Sequence, residues 1–242
     1  MVVNGLGDRC HEWFVPAQGP LSMRVAIGLL FLPYTGMVLA YTLIGSMMAE
    51  QIYWDRVGAV VLIYFLALGI GAHALDAVGS KGLKPWGAVF SPRRLVTVAI
   101  AALIAAYAIG VYYIVQHAPL LSLIAVPEGF FLLAYNLEWF EGRFHTDGWF
   151  AVSWGALPVL AGYIIQTNHI SLAVVIVATA MGLLSLVEIK ASRPYKMLKR
   201  KMAVGSGRDR EQRETMLRLE LILKSLSAGV ILLGVGLLSW RL

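Results

Sequence analysis

Apolar residues gather into seven long runs, 22–46, 56–75, 95–115, 119–135, 149–166, 170–187 and 219–240, and most polar residues fall between them. About 20 apolar residues cross ~30 Å of hydrocarbon as a helix. Lipid offers no hydrogen-bond partner to an open strand. The pattern therefore predicts an all-α, polytopic membrane bundle of about seven transmembrane helices over 22–242. Residues 1–21 carry glycine, proline and charge but lack the basic start, apolar core and small-residue cleavage site of a signal peptide. They read as an uncleaved, interfacial N-terminal segment. The connections alternate in length. Three are short, MAEQIYWD, QHAPL and QTNHI, and three are long, 76–94, 136–148 and 188–218. Short links make consecutive helices antiparallel neighbours.

Composition supports the bilayer: 59% of residues are hydrophobic and 14% charged, against about 25% charged in soluble domains. The net charge of +6 reflects membrane topology rather than nucleic-acid binding. With an inward N-terminus, 17 of the 20 Lys and Arg residues lie on the inner side, only Arg56 and Arg241 lie outside, and Lys224 lies within the last span. By the positive-inside rule this orients the chain in the cell membrane with the N-terminus cytoplasmic, the C-terminus outside and the long connections cytosolic. Membrane lipids are then its first partners. Cys10 is the sole cysteine, so neither an internal disulfide nor a thiolate metal cage can form.

Long loops on one face are where function concentrates, and three groups of polar residues lie there. His73 and Asp76 are three apart at the end of the second span, on one helical face. Tyr135, Asn136, Glu138, Trp139, Glu141, His145 and Asp147 follow the fourth span, with Glu138 and Glu141 again three apart. Glu188 ends the sixth span, ahead of Lys190, Arg193 and Lys196. An ionisable residue at that depth is costly and marks a functional candidate. The basic run after Glu188 suits anionic headgroups or a substrate's phosphates. Beyond a Gly-Ser-Gly at 205–207, residues 208–224 read as a helix in which Glu220 and Lys224 pair. Pro33, Pro127 and Pro158 fall inside spans and imply kinks.

The order of these groups resembles the UbiA superfamily of intramembrane prenyltransferases over roughly residues 60–195. The family's first Asp-rich motif, Asn-Asp-x-x-Asp-x-x-x-Asp, falls on Ala72, His73, Asp76 and Ser80, followed by Lys-Gly-Leu-Lys-Pro and Phe-Ser-Pro-Arg-Arg-Leu. Tyr135 and the Trp-Gly-Ala-Leu-Pro-Val-Leu-Ala-Gly-Tyr stretch at 154–163 are also similar. Of the first motif's acids Asp76 alone is kept, with His73 in place of another carboxylate. The second motif is reduced to Glu188, and the chain has fewer spans than the family.

The resemblance implies transfer of a prenyl group from a prenyl diphosphate to a lipophilic acceptor at the cytosolic face. His73, Asp76 and Glu188 would then be catalytic and, with Glu138 and Glu141, hold Mg2+. Lys81, Lys84, Arg193 and Lys196 would meet phosphate oxygens, with Asn136 also against the substrate. Tyr135, Trp139 and Trp154 would shield an allylic cation. Two alternatives stay open. A His/carboxylate site suits Zn or Fe better than magnesium. A non-catalytic protein that binds or moves lipid needs no converging acids.

Overall fold

The structure, a computed structural model, describes residues 12–79, 89–203 and 210–242. Cys10, Lys81, Lys84 and the Gly-Ser-Gly at 205–207 lie outside them. The described residues form seven helices long and apolar enough to cross a membrane, and no strand occurs among them. They are α1 (Leu21–Met47), α2 (Trp54–Gly79), α3 (Pro92–Gln116), α4 (Pro119–Asn136), α5 (Asp147–Thr167), α6 (Leu172–Ala203) and α7 (Arg210–Arg241). The all-α reading and the helix count are as the apolar runs required.

Local chemistry sets several ends. Ser91 caps α3 by accepting from the Arg94 amide, with Pro92 in the first turn. Thr146 caps α5 through the Trp149 amide. Asn168, left-handed at φ 47°, terminates α5.

Three helices are irregular. α1 breaks into Leu21–Leu29 and Leu32–Met47 around Phe31, which is left-handed at φ 44°, with Pro33 starting the second half. Wide π turns occupy Phe65–Ala72 in α2 and Val152–Ala156 in α5. Pro158 begins the regular part of α5, and Pro127 sits inside α4.

The long connection expected over 188–218 is largely helical, because α6 runs on to Ala203 and α7 starts at Arg210. Side chains hold these two extensions together. Tyr195 places its hydroxyl 2.9 Å from the Glu12 carboxylate and 3.1 Å from that of Glu220. Lys199 donates to Glu12 at 2.8 Å, and Lys224 to Glu220 at 2.7 Å. The N-terminal segment is thereby tied to the base of α6 and α7, with Trp13 packed among Tyr195 and Leu223.

The second half of α1 is central, packing against α5, α7 and α2, whereas α3 and α7 face mostly outward. Its approach to α5 is as close as two backbones allow. A Cβ on Gly45 would strike the Val159 carbonyl, and one on Gly162 would strike the Thr42 carbonyl. Ser46 donates across this seam to the Gly162 carbonyl at 3.1 Å. Small residues with a crossing hydroxyl are how helices associate where lipid removes the hydrophobic driving force. Gly162→Val should destabilise the protein by about 1–3 kcal/mol, seen as a lower melting temperature and loss of the monodisperse peak in detergent. Gly58→Ala, with open space around it, should leave both unchanged.

Candidate functional site

At the end of the bundle where the basic residues collect, five segments enclose a cavity of about 350 Å³. They are the break in α1, the end of α2, the end of α4 with the loop after it, the π turn of α5, and α6. Each irregularity turns a side chain inward. The αL residue Phe31 costs about 1–2 kcal/mol over a helical one, but it sends its ring to the cavity wall. The carbonyl of Leu30 is taken up by the Thr35 hydroxyl at 2.6 Å. With that proton committed, Thr35 accepts from Nε2 of His73 at 3.4 Å, which fixes the imidazole. The π turn of α2 leads directly into His73, and the π turn of α5 carries Trp154. Such turns concentrate at functional sites.

The result is a continuous aromatic wall. His73 lies between Phe31 and Trp154, with ring centroids 5.0 and 5.1 Å away. Trp154 stacks on Phe150 at 5.4 Å, Phe150 meets Tyr135 at 5.9 Å, and Tyr135 stacks on His145 at 4.2 Å. His145 reaches Tyr135 because the loop after α4 folds back through Glu138, Phe140 and Glu141, all at positive φ. A cluster of Phe130, Phe131, Phe140, Phe144 and Trp149 packs under that turn. Nδ1 of His145 donates to the Tyr135 carbonyl at 3.0 Å.

Another part of the lining is cationic. Arg193, Lys196 and Arg200 line the cavity along α6, and their spacing of three and four puts them on one face. Arg193 pairs with Asp147 at 3.0 Å and donates to the His145 carbonyl at 3.3 Å. Its guanidinium also sits beside the Tyr135 hydroxyl. Lys196 lies over the rings of Phe31 and Tyr34, at 4.8 and 5.3 Å. Tyr34 in turn donates to Ser192 at 2.9 Å.

The structure brings together His73, Asp76, Tyr135, Asn136, Glu138, His145, Trp154, Arg193 and Lys196. It does not bring three other candidates to the cavity. Glu188 is buried behind the wall near Tyr41, whose hydroxyl accepts from Ser185 at 3.2 Å, and its Oε1 lacks a hydrogen-bond partner among the described residues. Glu141 and Trp139 are exposed on the loop. Asn136 lines the cavity while its amide donates to the Leu132 carbonyl at 2.7 Å.

Sequence reasoning missed Phe31, Phe150 and Arg200 as lining residues. Arg200 was visible only as one charge in a basic run. Phe31 looked like any apolar residue of the first span, although Pro33 beside it marked the break.

Magnesium, zinc or iron would need several donors around one point. Among the described residues no three His, Cys, Asp or Glu side chains come together in that way. The carboxylates that line the cavity among the described residues are Asp76 and Glu138, and Nε2 of His73 is engaged by Thr35. This donor set does not fit a resident metal centre. The row of cations fits an anion. No family model, curated protein or solved structure matches the chain.

Thr35→Val should leave the Leu30 carbonyl unpaired and cost about 1–3 kcal/mol, while Thr35→Ser restores the bond. Thermal unfolding in detergent checks this; equal melting temperatures for wild type and Thr35→Val would remove Thr35 from the account.

Proposed function

We propose that the cavity binds a prenyl diphosphate at the cytosolic face and that the protein transfers its prenyl chain to a lipophilic acceptor, as a divergent relative of the UbiA prenyltransferases. The observation that supports this most is the meeting of a cationic row and an aromatic row in one cavity: Arg193, Lys196 and Arg200 line it together with Phe31, His73, Trp154, Phe150 and Tyr135. A diphosphate needs charge-assisted hydrogen bonds; an unsaturated chain needs apolar aromatic surface.

In this reading the allylic C–O bond breaks, and both bonding electrons leave with the pyrophosphate held by the α6 cations. The allylic cation left behind is stabilised by the π faces of Trp154 and Tyr135. The acceptor's nucleophilic atom then forms the new bond to carbon. Asp76, on the same cavity surface, takes the proton the acceptor releases. The α6 cations do the work that the resemblance alone assigned to a metal.

A non-catalytic lipid-phosphate binder is the second reading. It is favoured by Glu188 lying behind the wall rather than in the cavity.

Farnesyl diphosphate, with farnesol as its headless control, tests both readings by titration of the detergent-purified protein. The diphosphate should bind more tightly than farnesol, and Lys196→Ala and Arg200→Ala should each weaken it about tenfold. Equal affinity for the two ligands would overturn the site. Asp76→Asn should keep binding but abolish formation of the prenylated acceptor in the presence of membrane lipid extract. Tight binding by wild type with no pyrophosphate release would leave only the second reading.

A further inference from the structure

A second carboxylate lies far from this cavity. Glu128 is in the middle of α4, roughly 14 Å along the helix from Pro119 at 1.5 Å per residue. Its Oε1 accepts from the Tyr64 hydroxyl of α2 at 2.9 Å. Its Oε2 is shielded from solvent and has no hydrogen-bond partner among the described residues. A polar atom left unmade in hydrocarbon costs several kcal/mol, more than an interhelical hydrogen bond alone returns.

Glu128 also borders an apolar groove of about 70 Å³ between α2, α3 and α4. Small residues open this groove. Ala106 and Gly110 on α3 face Ala125 and Gly129 on α4, each pair four apart. A side chain at Gly129 would collide with the Tyr107 hydroxyl, which donates to the Ala125 carbonyl at 3.2 Å. Tyr107 and Val111, 40% and 52% exposed, form the outer lip on the outward-facing helix α3. The groove therefore opens sideways, at the depth of acyl chains.

We infer that this groove is a lateral binding site for a hydroxyl-headed lipophile, a long-chain alcohol or phenol, whose hydroxyl pairs with Oε2 of Glu128. The chemistry selects that class. Among the described residues no Lys, Arg or His lines the groove, so an anionic headgroup finds no counter-charge from them. A free ammonium would have to be dragged to mid-membrane depth at high cost. A hydroxyl is cheap to bring and both donates and accepts, so it satisfies the carboxyl oxygen in either protonation state. The groove's space of about 70 Å³ admits the hydroxyl, since one water needs only about 10–15 Å³, and the ring or tail lies out past Tyr107 toward lipid. The inference does not depend on prenyl transfer.

The test uses a 4-alkylphenol with a photoreactive diazirine at the start of its alkyl tail, beside its O-methyl ether, on the full chain in lipid nanodiscs. Mass spectrometry should place the phenol's crosslinks on α3 and α4 around Tyr107, Val111 and Ala125, about five-fold above the ether. Glu128→Leu should drop phenol labelling to the ether's level, whereas Glu128→Gln should retain most of it. Equal labelling of wild type by phenol and ether would overturn the site, as would phenol labelling confined to the basic-end cavity. The wild-type comparison stands even if Glu128→Leu fails to fold. Unchanged labelling of a folded Glu128→Leu would reduce Glu128 to a partner for Tyr64 alone.

Discussion

A backbone amide or carbonyl with no partner in hydrocarbon costs several kcal/mol, and side chains in this bundle take up groups that a helix break and several helix ends leave free. The first helix can break at Phe31 because Thr35 takes the Leu30 carbonyl. At the end opposite the cavity, Arg56 donates to the Ile165 and Gln166 carbonyls that close α5. Arg241 does the same for Ala49 and Glu50 after α1. Gln166 pairs with both backbone groups of Tyr53, and Asn168 accepts from the Leu120 amide. The two basic residues of the lightly charged end thus act as helix caps.

This division gives the two ends different characters. The capped end has short links and side chains committed to the backbone, so it is built for rigidity. At the basic end the helices overrun their apolar lengths, and their polar side chains turn toward one another around a cavity. The α1–α5 seam connects the two ends: Gly45 and Gly162 let the backbones touch, which holds the π turn of α5 and the break of α1 against the same space. Phe31 and Trp154 both pack against His73 there.

The acids packed in the bundle illustrate how surroundings separate roles. Asp147 is paired to Lys190 and Arg193 and fastens α5 to α6. Glu12 and Glu220 are bound up with Tyr195, Lys199 and Lys224. Glu188 and Glu128 each keep a buried oxygen without a partner among the described residues. Sequence reasoning missed Glu128, although it stands in the fourth apolar run, and only packing sets it on a groove beside Tyr64.

The sequence by itself determined the all-α character, the number of spans, the collection of basic residues at one end and the set of acids near it. These follow from run length and charge, which are local quantities. Tertiary structure alone decided which of those residues share a cavity. His73 and Glu188 both end apolar runs, yet a π turn rotates one into the cavity while helix packing turns the other behind its wall. Phe31 and Phe150 became wall residues through a left-handed break and a neighbouring π turn that no periodicity announces. Backbone irregularity sets side-chain direction, and at Phe31 it persists because Thr35 takes up the freed Leu30 carbonyl.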